Sequence, residues 1–376
     1  MRFAMVGCGF VADFYVQTLT NYPNLELSGV FDRDSQRLHR FSDFYKLQKY
    51  SCMEDVLNDS SVELIANLTN PASHYAVSKA ALEAGKHVYS EKPLAMNFGE
   101  AEELVSIAER RGLLLASAPC NLLSETAQTF WKALRDKRIG TPRLAYAELD
   151  EDQLFMNYRD WVSKSGTPWP FSDEFEVGSA LEHAGYYLGW LTAFFGPAKQ
   201  IVSSLGVFAD DRGPVEEHYA PAFAVACIDF ASGLVARITC STFTSVDHRF
   251  RVFGDEGILS TVDCWDYASP VYIRHRAPKC WQDRHPRRAE LLQMQPRIAP
   301  VRRSEFAYDD CRQLRMDFGR GIAELADALG ERREPRLSAR WSLHVTELAL
   351  AMNAGEGIRR EMRTTFAPIA PMPWAE

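Results

Sequence analysis

The feature that narrows the fold most lies within the first dozen residues. A short apolar run, Arg2-Phe-Ala-Met-Val6, ends in Gly7-Cys-Gly9-Phe-Val-Ala12, and helix-forming sequence follows from Val11 to Thr20. In a strand–turn–helix unit each small residue has a task. The first glycine permits the tight turn, the second lets backbone approach a bound pyrophosphate, and Ala12 lets the helix lie close on the strand. Phosphates then sit on the free N–H groups of the helix N-terminus. The next strand-like run, Leu25–Phe31, ends at Asp32, 23 residues after Gly9. A carboxylate at that point accepts hydrogen bonds from adenosine ribose hydroxyls. Together these signals predict a dinucleotide site built on Gly7, Gly9, Phe10, Val11 and Asp32. Asp32 favours NAD, because it repels the 2′-phosphate of NADP. Arg33 pulls the other way, since a guanidinium can bind that phosphate or stack on adenine, so NADP stays open.

The same alternation continues through the first third of the chain. Strand-like runs recur at Val62–Leu68, His87–Ser90 and Leu113–Ser117, separated by helix-like segments at Ser35–Phe44, Ser73–Ala84 and Ala101–Arg111. Near-continuous apolar strands between single helices predict a parallel sheet covered on both faces, a doubly wound α/β Rossmann domain over residues 1–122. A chain of 376 residues exceeds what one core usually fills. After a helix-like stretch at Glu125–Arg138 the texture changes, and longer β-branched and aromatic segments appear at Arg143–Leu149, Lys199–Phe208, Ala222–Phe230, Leu234–Thr242 and Arg249–Phe253. These predict an α+β domain over 123–376 with a large, mostly antiparallel sheet, closed by helices at Ile322–Leu329 and Ser342–Ala354.

Composition removes several classes. No apolar run approaches the ~18–20 residues of a membrane span, and Met1 leads directly into strand-like sequence without a secretory leader, so a cytoplasmic protein with no membrane partner is expected. The net charge of −8 argues against nucleic acid as a partner. One stretch departs from it: between Arg274 and Arg303, nine Lys/Arg face two acids, Asp283 and Glu290. That basic segment reads as a solvated loop or subunit-contact arm, or alternatively as an anion-attracting lip. The eight cysteines are scattered and none forms a C-x-x-C pair, which suits small buried thiols better than metal ligands or disulfides. No metal site, serine-hydrolase elbow or Walker loop is present in the sequence.

Glu91-Lys92-Pro93 closes the strand that begins at His87, and Asn70-Pro71 precedes a helix carrying His74. With the N-terminal Gly-rich loop, these resemble the glucose–fructose oxidoreductase/inositol dehydrogenase family (Gfo/Idh/MocA), in a layout that covers nearly the whole chain. The resemblance implies a Rossmann domain followed by a large-sheet α/β domain that often mediates dimers or tetramers, hence a homo-oligomer. It implies a catalytic Lys92 beside the nicotinamide, and adds Asn70, His74, Glu91, Lys92 and Asn121 to the cofactor surroundings. A lysine at the carboxyl end of a strand can polarise a substrate oxygen and relay a proton.

The family's later helix carries an Asp and, four residues on, a His. The matching stretch here is Gly178-Ser-Ala-Leu-Glu-His-Ala-Gly-Tyr-Tyr187, which puts His183 and Tyr187 at those places. They lie four residues apart on one helix face. The expectation is that Tyr187 exchanges the proton with Lys92's help while His183 orients substrate or relays it. Glu182 and Tyr186 form a second such pair on the adjacent face and rank lower. Upstream, Arg159, Trp161 and Glu176 supply ring-stacking and hydrogen-bonding groups suited to a polyol. The expected reaction is hydride transfer between NAD and a secondary alcohol or ketone of a sugar, cyclitol or derivative. An NAD-dependent redox-elimination glycosidase and a non-catalytic dinucleotide-binding scaffold are the alternatives.

Overall fold

The computed structural model describes residues 1–152, 158–206, 220–303 and 315–376. Five parallel strands form the first sheet: β1 (Arg2–Val6), β2 (Glu26–Phe31), β3 (Leu64–Asn67), β4 (His87–Ser90) and β5 (Leu115–Ser117), in the order β2-β1-β3-β4-β5. Four helices flank them: α1 (Ala12–Leu19), α2 (Ser35–Tyr45), α3 (Met53–Asn58) and α4 (His74–Glu83), with α5 (Phe98–Arg111) following β4 and α6 (Glu125–Arg135) leading into the second sheet. All of β3 is buried, as a strand covered on both faces must be. Local signals set the helix starts. The Asp34 side chain accepts from the backbone N–H of Gln36 and Arg37, and Asn97 accepts from Glu100. Strand order reverses between β1 and β3, which leaves a crevice at their carboxyl ends.

The second sheet has nine strands: β6 (Pro142–Asp150), β7 (Ala198–Gly206), β8 (Phe223–Phe230), β9 (Val235–Ser241), β10 (Phe250–Gly254), β11 (Gly257–Thr261), β12 (Val271–His275), β13 (Arg297–Ile298) and β14 (Arg360–Glu361). Their order is β13-β12-β11-β10-β6-β9-β8-β7-β14, antiparallel except where β6 runs beside β9. The five strands expected from sequence lie at or within two residues of β6 to β10, apart from Val207 and Phe208, which are outside the described residues. The basic segment is more ordered than a loop: Arg274 lies on β12, Arg297 on β13, and two short helices lie between them.

Between β6 and β7 a helical run is broken twice, giving α7 (Phe171–Val177), α8 (Ser179–His183) and α9 (Gly185–Phe195). The first break is at Gly178, where φ is +88° and an added Cβ would lie 2.5 Å from the Ala220 Cβ. The chain's last two long helices, Gly319–Glu331 and Ala339–Ala354, tie the sheets together. The former packs on α1, β4 and β5, and the latter packs on both α5 and β7. One continuous hydrophobic core, from Phe3 and Met5 to Trp190, Phe250 and Trp341, therefore runs through both sheets. The strand ends of the second sheet and the α7–α9 run face the crevice of the first.

Candidate active site

The Gly-rich loop shows two distinct uses of glycine. At Gly7, φ is +102° and a Cβ would stand 2.5 Å from the backbone C and O of Leu68. The loop therefore presses directly on the end of β3. At Gly9 a Cβ would meet nothing within 4 Å. Its missing side chain leaves open space in front of the N-terminus of α1. Asp32 is buried at the end of β2, where its carboxylate accepts from the backbone N–H of Cys8 and of Asp34, both at 2.8 Å, with Arg37 Nη1 at 3.5 Å. Arg33 is exposed beside it. An open cradle at Gly9, a helix N-terminus behind it and a carboxylate at the next strand end fit a dinucleotide's pyrophosphate and adenosine ribose.

Lys92 follows β4 on the far side of the crevice. Glu91 fixes its backbone: Oε2 accepts from Lys92 N at 3.1 Å, and Oε1 accepts from the hydroxyl of Tyr15, on α1, at 2.7 Å. His74 braces the same turn, its Nδ1 meeting the Pro93 carbonyl at 2.7 Å and its Nε2 the Thr69 carbonyl at 2.9 Å. Burial lowers the His74 pKa. His74 and Glu91 thus act on the lysine turn rather than lying open to a ligand. Asn70 donates to Asp173 at 3.2 Å, and Asn121, fully buried, donates to the Tyr186 carbonyl at 3.2 Å.

The Lys92 side chain, 19% exposed, forms an ion pair with Glu182, whose side chain is 3% exposed. Burial opposes the ammonium charge. The carboxylates of Glu182, Glu174 and Glu91 outweigh it and hold the Lys92 pKa above its ordinary value. Glu182 is kept ionised against burial by Lys92 and by a hydrogen bond from Glu174. Burial and the Glu182 charge together raise the Glu174 pKa well above its ordinary value. Both glutamates line a narrow cleft with Trp169, Phe175, Ser179, His183 and Thr242. Two buried polar atoms at this cleft, Glu182 Oε1 and His183 Nδ1, have no hydrogen-bond partner among the described residues.

The sheet contributes a third group. Glu151 at the end of β6, His248 before β10 and Asp263 after β11 converge. His248 Nε2 meets Glu151 at 2.8 Å, its Nδ1 meets Asp263 at 3.3 Å, and its ring lies 4.4 Å from that of Trp265. Burial disfavours the imidazolium, but hydrogen bonds donated to the two carboxylates raise its pKa to about 9. The His183 ring lies 6.1 Å from Trp265 on the other side. Burial holds His183 below its ordinary value, so it is neutral beside a charged His248.

The structure reverses the weight given to the two i, i+4 pairs. Glu182 and Tyr186 are the pair that faces Lys92; Tyr186 is among the charges acting on the lysine. Tyr187 is completely buried, stacks on Phe250 at 5.1 Å, and donates its hydroxyl to the His248 carbonyl. Its electrostatic neighbours are Cys264, Asp263 and Asp247 rather than Lys92. The physical reason is the pitch of the helix: one residue of rotation, ~100°, separates a face toward the crevice from a face in the core. Glu176 is likewise turned to solvent, where it accepts from Ser172, while Glu174 takes the cleft. Trp161 is 39% exposed against Trp169 at 5.3 Å, and the side chain of Arg159 lies outside the described residues. Phe10 stacks edge-on to Phe14 at 5.6 Å, and Val11 stands at the start of α1. Glu174, His248, Glu151 and Asp263 escaped the sequence reading, since no motif marks them.

A dinucleotide crevice facing a buried lysine–carboxylate pair defines an oxidoreductase of the Rossmann class. Residues 1–118 match the Gfo/Idh/MocA oxidoreductase family model, NAD-binding Rossmann fold, and residues 127–260 match the Gfo/Idh/MocA C-terminal domain. The chain belongs to this family. Among its relatives, trans-1,2-dihydrobenzene-1,2-diol dehydrogenase of Mus musculus is 24% identical over 270 residues, 70% of this chain and 75% of that protein. The fold is shared with the WlbA dehydrogenase of Bordetella pertussis, solved with NADH and UDP-GlcNAcA (TM-score 0.73, 17% identity, 96% of this chain and 98% of that one). It is also shared with the UDP-N-acetylglucosamine 3-dehydrogenase GnnA of Acidithiobacillus ferrooxidans (TM-score 0.70, 19% identity, 94% and 97%).

Proposed function

We propose that the chain interconverts a secondary alcohol and a ketone on a sugar, cyclitol or related cyclic polyol, with NAD in the Gly7–Gly9 crevice. The observation that carries the reading is the Lys92–Glu182 ion pair at the mouth of that crevice, in a cleft with two unpartnered polar atoms. The nicotinamide, when bound, accepts or gives the hydride. The protein's share is to move the proton of the substrate oxygen and to hold the ring. Lys92, kept as an ammonium by its carboxylate neighbours, is an acid for a forming alkoxide and polarises a carbonyl. Glu182 Oε1 and His183 Nδ1 are free to bond neighbouring hydroxyls, and Trp169 and Phe175 offer apolar surface to a ring. Tyr186 stands in for Tyr187 as the phenol beside Lys92.

The first test is thermal stability of the purified chain with NAD(H) or NADP(H), then with sugars, cyclitols and cyclic diols added to the better cofactor. A rise from NAD(H) and a further rise plus turnover with one class is expected. No response to either cofactor well above its Kd would sink the reading. We also propose that the chain is a homo-oligomer through the uncovered face of the large sheet, where Leu144 and Val235 are more than a third exposed. Light scattering reads that out. Among the described residues no helix is long and apolar enough to cross a membrane.

A further inference from the structure

Ser163-Lys-Ser-Gly-Thr167 is a polar run with a glycine between Trp161 and Trp169, and it folds as a tight hairpin. Trp169 N donates to the Trp161 carbonyl at 2.9 Å, and Ser163 N to the Thr167 carbonyl at 2.8 Å. At the turn, Gly166 takes a φ of +87° and its N–H donates to the Ser163 carbonyl at 2.9 Å. At the base of the hairpin, Trp169 lines the substrate cleft and packs on Tyr158 and Phe175, with ring centroids 6.0 and 5.9 Å away. The tip lies on the other domain. There the Asp13 carboxylate, buried in the first turn of α1 just after the Gly-rich loop, accepts from Ser165 N and Ser165 Oγ, both at 2.8 Å. The Tyr45 hydroxyl, on α2, donates to the same carboxylate at 2.8 Å, and Arg40 donates to Thr167 Oγ1 at 3.1 Å.

An isolated two-stranded hairpin is marginal in water, so this one is placed by what holds its two ends. Beyond the base, Asp173 accepts from Asn70, which follows β3. The Ser165 and Asp173 contacts therefore stand on either side of the crevice between β1 and β3. We infer that Asp13 is a positioning residue for the substrate: through the 161–169 hairpin it holds Trp169 at the cleft. The helix that seats the dinucleotide thus also shapes the place where the sugar ring lies. The inference rests on the dehydrogenase reading above. Aspartate suits the task because its two oxygens accept from two donors of one residue, a backbone N–H and a hydroxyl, which fixes the tip in direction as well as distance. Asparagine can do the same, its Oδ1 accepting from Ser165 N and its amide donating to the Ser165 hydroxyl; alanine can do neither.

The test compares Asp13→Ala, Asp13→Asn, Ser165→Ala and, as a control, Thr18→Val, which removes the hydrogen bond from α1 to Gly319 N. Each is measured for NADH Kd, for KM and kcat with the substrate found in the panel, and for amide hydrogen exchange over residues 161–169. Asp13→Ala is expected to raise KM about tenfold with kcat and NADH Kd within about threefold, the pattern of lost binding rather than lost chemistry. It also speeds exchange in the hairpin. Ser165→Ala keeps its N–H and moves KM the same way by less. Asp13→Asn stays within about twofold of the wild-type KM, and Thr18→Val lowers Tm without moving KM. A wild-type KM in Asp13→Ala, or a rise matched by Thr18→Val, overturns the inference. So does an NADH Kd that rises as much as KM, which would make Asp13 a cofactor residue. If Asp13→Ala does not fold, Ser165→Ala against Thr18→Val decides by the same comparison. If the wild type turns over no panel member, the dehydrogenase reading falls and the substrate role with it. The hairpin's anchor is then judged by exchange alone: it stands if Asp13→Ala speeds exchange there and Thr18→Val does not, and falls otherwise.

Discussion

Substituting alanine at Gly7 and at Gly9 separates folding from cofactor binding, two residues apart on one loop. At Gly7 the left-handed φ of +102° disfavours any L side chain, at a cost of about 1–2 kcal/mol. The added Cβ also meets the Leu68 carbonyl at 2.5 Å, and that neighbour is backbone rather than the end of a flexible side chain. Forcing extra atoms into packed surroundings costs about 1–3 kcal/mol more. The total, about 2–5 kcal/mol, acts against an unfolding entropy of about 0.8 kcal/mol/K for a chain of this length, so Gly7→Ala lowers Tm by about 3–6 °C. Gly9→Ala meets no atom within 4 Å, and its cofactor-free Tm stays within about 1 °C of wild type. Its Cβ does occupy the space in front of α1, so NADH binding weakens at least about tenfold, which is about 1.4 kcal/mol. Differential scanning calorimetry without cofactor and fluorescence titration with NADH measure the two effects. Equal losses of Tm in both variants, or a Gly9→Ala chain that binds NADH as well as wild type, would refute the assignment of this loop as the pyrophosphate seat.

Three further outcomes follow from the site. Lys92→Met is expected to reduce kcat by about 10²–10⁴ while leaving the cofactor-induced rise in Tm intact, because the lysine handles protons rather than the dinucleotide. Tyr187→Phe keeps kcat within about twofold but costs about 1–3 kcal/mol in urea unfolding, since the buried His248 carbonyl loses its donor; Tyr186→Phe shows the opposite pattern, and a Tyr187→Phe enzyme crippled in kcat but normal in stability would restore the first assignment. His248, raised from 6.5 to about 9, stabilises the fold fully below pH 6.5, and that stability is lost as pH rises through about 9. The full amount is on the order of 3 kcal/mol. Stability measured between pH 6.5 and 10 falls accordingly in the wild type, and the slope flattens in His248→Gln.

What could be read from sequence is what is decided within a few residues. The G-x-G-x-x-A loop, Asp32 at the next strand end and Lys92 at the close of β4 each depend on a strand and the turn that follows it, so local pattern was enough to place them. The side chains that meet Lys92 are a different matter. Lys92 and Glu182 are 90 positions apart, and helical spacing yields Glu182/Tyr186 and His183/Tyr187 as equally good pairs. Which one faces the crevice is set by how α8 and α9 pack on Trp265 and Phe250 after the break at Gly178. Glu174 and Glu176 present the same ambiguity on a helix of seven residues, too short for its apolar pattern to fix a face. In the basic segment, charge masked structure, because β12 and β13 lie toward one edge of the sheet and need few apolar residues.

For the same reason the groups around Lys92 and the fold are separable in this chain. The cofactor crevice is stated by glycines that touch backbone, as at Gly7 and Leu68, and a substitution there disturbs the strand itself. The carboxylates that set the charge of Lys92 come from a helix between the sheets, and His248, Glu151 and Asp263 come from three strand ends of the second sheet. None of these positions is required by the turn that holds Lys92, which is fixed by Glu91, Tyr15 and His74. The charged groups that meet Lys92 can therefore be altered without moving the lysine turn. A double substitution tests this: Glu182→Gln with Glu174→Gln is expected to lower the Lys92 pKa and kcat, yet leave NADH affinity within about twofold. Loss of NADH binding in that variant would mean that the lysine turn depends on those carboxylates, and that site and scaffold are one unit.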